Sequence, residues 1–483
     1  MALLRNRNNI KMKRIFNNFI FISAMLIQGF LTSCSDSFLD LQPYAQSGSA
    51  DALNSESDLR IALMGTYADL RTVDMYGRTL MVYGDLMADN AFISIKNSGK
   101  YLAFDNYLIL KDNSDFQNIW AYSYNTILRA NNIINSAVAA NDNVNQYKGE
   151  ALAIRALMYF NLVRMYARPY SDDPSSAGVP IVLTYNPSLK PARNTVEEVY
   201  AQILSDLDQA YALQTQYSGS ARFSKYAARA LSAKVYLYMG QYQKALDYAN
   251  EVINNSGFSL LKGTNLADYW NNPASNSSSV KIETLFEVSA DATLNISANE
   301  LTNIYNQGVA GDLLANEVLY RLYSDQDYRK SLIVPGSRVQ GETNAYLVNK
   351  YRHYTGDIDD KKVLRMSDMY LIAAEAALRL PAPDEMQSRA RLNALMAERD
   401  PSLSYASSGN QLLEDILTER RKELAFEGDR YYDLNRLKRD LVRVGGNYSV
   451  RNISFSDYRR IAPIPLSETN ANKNIVQNPG YGD

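Results

Sequence analysis

Residues 228–255 read ARALSAKVYLYMGQYQKALDYANEVINN, and this stretch decides the fold class of the 483-residue chain. Apolar residues recur at helical spacing on both sides of Gly240, a residue type that commonly ends a helix. Tyr242, Ala245 and Tyr248 then follow with the spacing of the turn and second helix of a tetratricopeptide repeat, where a small alanine lets the paired helix approach closely. The stretch therefore predicts one helix pair of a helical-repeat fold.

Helical periodicity dominates much of the remaining chain. Trp120, Tyr124, Ile127 and Leu128 share one face of a predicted helix, and the apolar face of 149–170 predicts another that ends before Pro169. A further helix is predicted to begin at Asn194 or Thr195, and helix pairs are expected at 120–168 and 364–399. We therefore predict a mainly α fold, a tetratricopeptide-like α–α superhelix in which each pair buries the exposed face of its neighbour.

Two stretches interrupt this helical pattern. Residues 91–119 interleave aromatic and polar side chains, and residues 256–312 are rich in Asn, Ser and Gly around the strand-like run TLFEVSA at 284–290. Irregular stretches of this length within a compact domain are often functional. We expect a ligand site in these two inserts.

The composition excludes several classes of function. Lys and Arg total 50 against 52 for Asp and Glu, so the chain has no basic excess for binding nucleic acid. His353 is the only histidine and Cys34 the only cysteine, which leaves little for histidine or metal chemistry. The sequence contains no G-x-S-x-G, H-E-x-x-H or Walker motif. No catalytic residue, metal ligand or cofactor is predicted, although the many acids leave a glycosidase open.

Glu423 and Glu427 could form a catalytic pair of carboxylates, as in glycoside hydrolysis. They lie in LTERRKELAFEGDRYYDLNR at 417–436, which we predict as a helix. The interleaved arginines would keep both acids ionised, whereas a catalytic pair needs one protonated donor. We therefore predict a network of ion pairs that fixes this helix to its neighbours.

The N-terminus has the pattern of a secreted lipoprotein. A basic segment precedes the apolar run at 19–31, which is too short to span a bilayer but suits a signal peptide. The run ends in LTSC at 31–34, which resembles a bacterial lipobox. We predict a signal peptide at 1–33 and a lipid anchor on Cys34, while a free cysteine buried after an ordinary signal is the alternative.

Seven motifs together resemble the SusD/RagB-like family of outer-membrane nutrient-binding lipoproteins. They are CSDSFLDLQP (34–43), MGTYADL (64–70), YGRTLMVYGDLMADNAF (76–92), IWAYSYNTILRANNII (119–134), GEALAIRALMYFNLVRMYARPY (149–170), ERRKELAFEGDRYYDLNR (419–436) and APIPLSETNANKNIVQNPGY (462–481). The resemblance covers nearly all of 34–483, with Asp368 where the family usually has Glu. It implies about four helix pairs supporting a loop-rich face.

The resemblance also implies a role and a site. Such proteins capture a nutrient, usually a glycan, at the cell surface and cap a TonB-dependent SusC-like outer-membrane barrel. Carried over by position, ligand residues are expected at Asp89, Asn90, Tyr101, Phe104, Tyr107, Asn303 and Tyr305. Trp270, one of only 2 tryptophans, is a further candidate because an aromatic face suits a pyranose ring. Packing within the core is the alternative for each of them.

Two other functions fit the same sequence. Some relatives resemble collectors of peptides, so an oligopeptide ligand is the nearest alternative. The second is a pure protein-interaction scaffold, a common use of the concave surfaces of helical repeats. Ligand binding distinguishes these readings, since a scaffold should be indifferent to glycans and peptides.

Overall fold

A computed structural model describes residues 53–271, 281–290, 295–353 and 359–482. The predicted signal peptide at 1–33 and the predicted anchor Cys34 lie outside these ranges. The α-helices of the described ranges are α1 (Glu56–Asp69), α2 (Thr79–Leu86), α3 (Leu102–Asn106), α4 (Ser114–Ile134), α5 (Asp142–Tyr166), α6 (Val196–Leu213), α7 (Lys225–Met239), α8 (Tyr242–Asn255), α9 (Leu266–Asn271), α10 (Leu301–Tyr305), α11 (Glu317–Tyr320), α12 (Met366–Leu378), α13 (Glu385–Arg399), α14 (Gly409–Glu423), α15 (Arg430–Arg436) and α16 (Leu466–Ala471). Among these residues, no helix combines the length and apolar character needed to cross a membrane.

The long helices pack side by side as a stack. Each of α4 to α7 packs against the next helix, and α8 then packs against α12, which also contacts α13 and α14. A buried apolar core fills the space between α12, α13 and α14. It consists of Leu371, Ala374, Leu392, Leu395, Met396, Leu412 and Ile416. This arrangement confirms the predicted mainly helical, tetratricopeptide-like fold.

Local sequence explains where these helices begin and end. The Glu198 N–H donates to the Thr195 hydroxyl at 3.2 Å, and the Thr195 N–H donates to the Glu198 carboxylate at 2.9 Å, so Thr195 is the cap of α6. Gly240 ends α7 with a φ of 72°, a left-handed conformation that glycine adopts without strain. Ala245 is fully buried in α8. The predicted turn between α7 and α8 is therefore present.

The strands form short antiparallel pairs rather than one sheet. In the described ranges β1 (Ala91–Ile93) pairs with β3 (Leu313–Ala315), β2 (Thr284–Val288) with β6 (Lys361–Arg365), β4 (Ile333–Gly336) with β5 (Ala345–Val348), and β7 (Leu441–Val442) with β8 (Asn452–Ile453). The strand predicted at 284–290 is present as β2. The described parts of the insert at 256–312 also contain α9 and α10, so they are less irregular than we predicted.

The prediction of one helix over 417–436 is wrong. Helix α14 ends at Glu423, and α15 starts only at Arg430. Between them Phe426 and Gly428 adopt positive φ values of 65° and 84°, which a right-handed helix does not allow. Their N–H groups instead donate to the Asp85 carboxylate at 3.0 and 2.8 Å, so the break docks this segment onto α2.

The predicted ion-pair network is present around the end of α14. The Glu423 carboxylate lies 2.8 Å from Arg365, 3.0 Å from Arg399 and 3.1 Å from Arg329. Burial opposes its ionisation, but these guanidinium groups hold the pKa of the Glu423 carboxyl well below its usual range. Glu427 pairs with Lys350 and Arg365 at 2.7 and 2.6 Å. The network ties α14 to the chain around β6 and to α13.

Candidate functional site

A short ladder joins the two inserts. Strand β1 pairs with β3, with Phe92 opposite Leu314. Beyond the ladder, the Ser94 N–H donates to the Asp312 carbonyl at 2.8 Å, and the Ser98 N–H donates to the Asp312 carboxylate at 3.0 Å. Both inserts therefore contribute to one loop-rich face.

Asp89 and Asn90 are buried beneath this face. The Asp89 carboxylate accepts from Arg430 at 2.7 Å and pairs with Arg421 at 3.2 Å. Although burial opposes ionisation, these two guanidinium groups lower the pKa of Asp89 to about 2. The Asn90 amide donates to Asp85 at 2.8 Å and accepts from Arg421 at 2.9 Å. In this conformation both side chains connect α2 to the α14–α15 segment.

Phe104 belongs to a buried aromatic cluster, and Tyr107 is also buried. Phe104 packs edge-on to Tyr83 with ring centroids 5.6 Å apart and lies 5.3 Å from Phe116. The Tyr107 hydroxyl donates to the Met87 carbonyl, and the Arg443 guanidinium lies 4.9 Å from its ring centroid. These contacts fix the position of helix α3 and its flanking turns.

The second group of predicted residues forms a chain of ring contacts. Trp270 is 5.9 Å from Tyr351, and Tyr351 stacks on Tyr305 at 6.2 Å. The Lys350 ammonium lies 4.0 Å from the Trp270 ring. Trp270 and Tyr305 are both buried, whereas Asn303 is half-buried and its carbonyl accepts from the Gly311 N–H at 3.0 Å. The structure thus brings Trp270 and Tyr305 together through Tyr351.

Tyr101 lies beside a polar cluster that our sequence analysis missed. The Tyr101 hydroxyl accepts from Arg78 Nε at 2.7 Å and lies 2.9 Å from the Thr79 hydroxyl. The Thr79 hydroxyl is in turn 3.5 Å from Asp74. Asp115, at the start of α4, interacts electrostatically with Asp74 and Arg78. We call Asp74, Arg78, Thr79, Tyr101 and Asp115 the Arg78 cluster.

The backbone around the Arg78 cluster is unusual. Asp74 lies in a short π-helical turn at Val73–Gly77, which is interrupted by a non-helical Met75. Tyr101 has a φ of 60°, in the left-handed region that side chains rarely adopt. Such residues cost on the order of 1–3 kcal/mol and concentrate at binding and switch sites. The local conformation thus marks this cluster as a candidate functional site.

The electrostatics of the Arg78 cluster suit polar recognition. Arg78 Nη1 is buried without a hydrogen-bond acceptor from the described residues, a condition it shares with guanidinium nitrogens of Arg164, Arg229, Arg379 and Arg420. Burial raises the pKa of Asp115 to about 6, and the charge of Asp74 adds to the shift, while Arg78 opposes it. Burial also raises the pKa of Asp74, against the effect of Arg78. One fixed donor and two carboxylate acceptors can therefore bind neighbouring hydroxyl groups.

The fold and this loop-rich face define a helical-repeat binding protein. Residues 37–237 match a family model described as starch-binding and associating with the outer membrane, and residues 302–481 match the model of the SusD family. The chain belongs to the SusD/RagB-like family.

Individual relatives align over nearly the whole chain. SusD-like protein P2 of Formosa agariphila is 28% identical, and the alignment covers 93% of this chain and 97% of that protein. A putative sugar-binding protein from Bacteroides vulgatus is 29% identical with a TM-score of 0.81, covering 89% of this chain and 99% of its own. A SusD superfamily protein from Bacteroides thetaiotaomicron is also 29% identical, with a TM-score of 0.80 and coverages of 88% and 100%.

Proposed function

We propose that this protein captures a glycan or oligosaccharide at the Arg78 cluster and delivers it to a TonB-dependent SusC-like barrel in the outer membrane. The observation that carries the proposal is a buried guanidinium donor that interacts with two carboxylates at a turn of unusual backbone conformation. This donor group, on Arg78, also contacts Tyr101 of the 91–119 insert. Membership of a carbohydrate-binding family supports the ligand class. Sugars offer neighbouring hydroxyls that both donate and accept, which this set of groups matches.

Among the residues predicted from the sequence, we assign direct ligand contact to Tyr101. Its hydroxyl already belongs to the Arg78 cluster. Phe104 stacks on the Tyr101 ring with the ring centroids 5.2 Å apart, so we propose that it holds the Tyr101 ring in position. For Asp89 and Tyr107 we propose a supporting role, since their polar groups are engaged with Arg430 and the Met87 carbonyl.

The proposed role does not include catalysis. A carboxyl group with a raised pKa beside a second carboxylate is also what a glycosidase needs, so the distinction requires a measurement. Starch and laminarin belong in a first glycan panel, because one matching family model is described as starch-binding and one structural relative of 24% identity as a laminarin-binding SusD-like protein. Xylan, pectin and mixed peptides complete the panel, and binding of peptides alone would favour the oligopeptide alternative.

Glycan binding should depend on the ionisation of Asp115. Its pKa of about 6 means that the carboxylate acceptor is lost as the pH falls from 7.5 to 5. We expect the dissociation constant to rise roughly tenfold over that interval, since the ionised fraction falls by about that factor. Calorimetric titrations at the two pH values measure the effect. Asp115→Asn should bind weakly with little pH dependence, and an unchanged pH profile in this variant would contradict the assignment.

Anchoring should depend on Cys34. We propose that residues 1–33 are removed and that the new N-terminal cysteine carries the lipid, which would place the protein on the outer-membrane surface. Cys34→Ala should abolish incorporation of labelled palmitate and release the protein from the membrane fraction. Lipid labelling that persists in Cys34→Ala would contradict this proposal.

The partner is tested by gentle detergent extraction of native membranes. We expect an affinity-tagged chain to co-purify with a large TonB-dependent barrel. Recovery of the tagged lipoprotein alone would count against the transporter role.

A further inference from the structure

A cavity opens where α6 and α8 end and α7 begins. It encloses about 620 Å³. Its walls come from the segment after α6, the first turn of α7, the residues after α8, and Lys281 with Ile282. This volume falls within the range of about 300–1,000 Å³ that is usual for small-molecule sites. The cavity shares no lining residue with the Arg78 cluster, and we call it the Tyr217 pocket.

Aromatic rings supply the apolar surface of the Tyr217 pocket. Tyr217 is 57% exposed and meets Phe258 edge-on, with ring centroids 5.6 Å apart. Tyr226 also lines the cavity. Gly257 precedes Phe258 with a φ of 79°, and no atom lies within 4 Å of the position where a Cβ would stand. The turn after α8 therefore leaves the Phe258 side of the cavity open.

The charged groups of the pocket are all cationic. Its lining includes Lys225 and Lys281 but no Asp or Glu from the described residues. Lys281 is neutralised by Glu287 and Asp360 at 2.5 and 2.8 Å. The Lys225 ammonium lies 4.5 Å from the Tyr211 ring centroid, and no carboxylate of the described chain forms a salt bridge with it. Among the described residues, Lys225 is thus the lining cation that no carboxylate neutralises.

We propose that the Tyr217 pocket binds a short saccharide that carries a carboxylate or sulfate group. The apolar face of a sugar ring would lie against Tyr217 and Phe258, and its acidic group would face Lys225. Thr215 and Gln216 also line the cavity, and their side chains carry hydroxyl and amide groups of the kind that suit sugar hydroxyls. This site is separate from the one assigned above to glycan capture.

The variant Tyr217→Trp provides a local probe of the pocket. The native Trp120 and Trp270 are both buried, so the new indole would be the exposed fluorophore among the described residues. Titration with trigalacturonate, with a sulfated heparin disaccharide and with neutral maltotriose compares the ligand classes. We expect a saturable fluorescence change with at least one acidic probe. Its half-saturation concentration should be at least about tenfold lower than that of maltotriose. If only one of the two acidic probes gives this change, the result supports the proposal and identifies the acidic group as carboxylate or sulfate.

Calorimetry on otherwise native protein separates this site from the Arg78 cluster. Tyr217→Ala and Lys225→Gln should each weaken binding of the acidic probe about tenfold. Tyr185→Ala is the matched control, because Tyr185 is also 57% exposed but lies outside the pocket. Arg78→Ala should leave this binding unchanged, whatever its effect on glycan capture. Equal affinity for maltotriose, no saturation with any probe, or equal loss in Tyr185→Ala would overturn the proposal.

Discussion

Glu423→Gln is expected to lower the free energy of unfolding by about 3–5 kcal/mol, because removing one partner from a buried ion network leaves uncompensated charges. Glu423 is 4% exposed and pairs with Arg365, Arg399 and Arg329 at 2.8, 3.0 and 3.1 Å. The amide keeps the shape of the side chain but cannot balance these guanidinium groups. Urea unfolding at pH 7, followed by circular dichroism, measures the loss.

Glu414→Gln is the matched control on the same helix. Glu414 pairs with Arg439, but both side chains are well exposed to solvent. Exposed pairs contribute only about 0–1 kcal/mol, so this variant should unfold almost as the wild type does. If the two variants lose equal stability, the network around Glu423 does not hold the helices together as described.

Arg78→Ala is expected to weaken glycan binding by roughly 10- to 150-fold. Hydrogen bonds to charged groups contribute about 1.5–3 kcal/mol, and each 1.4 kcal/mol corresponds to a factor of ten in affinity. The variant also removes the Arg78 Nε donor that holds the Tyr101 hydroxyl at 2.7 Å. Affinity electrophoresis against the polysaccharide that binds best, followed by calorimetry, gives the ratio of dissociation constants.

Two further variants give that experiment its controls. Arg78→Lys keeps the charge but loses the planar pair of donors, so an intermediate affinity is expected. Arg321→Ala removes an exposed arginine whose one salt-bridge partner among the described residues is Glu317. It should bind glycan normally. If the Arg78→Ala protein melts like the wild type and binds the glycan equally well, the capture site does not lie at the Arg78 cluster.

Much of the fold could be predicted from the sequence because helical periodicity is a local signal. The pairing of α7 with α8 followed from Gly240 and Ala245, and the cap of α6 followed from Thr195. The break between α14 and α15 could not be predicted in this way. It depends on Asp85, a residue distant in the chain that accepts the N–H groups of the broken segment. Local helix propensity gave no sign of this long-range contact.

The candidate site was harder to predict, because side chains that bind and side chains that pack share the same residue types. Tyr101 and Trp270 are both aromatic residues of the inserts, so the sequence does not distinguish their roles. In the structure Tyr101 hydrogen-bonds within the Arg78 cluster, whereas Trp270 lies against Lys350 and Tyr351. Asp74 and Asp115 are far apart in the chain. Their electrostatic interaction arises from tertiary packing, which local patterns in the sequence do not predict.

The most direct test of the capture role is calorimetric binding of the chain from Ser35 onward against the panel of polysaccharides, oligosaccharides and peptides, with product analysis of each mixture. The account predicts saturable binding of one glycan class and recovery of that glycan uncleaved. Release of shorter saccharides by the purified chain, or binding of peptides and no glycan, would contradict it.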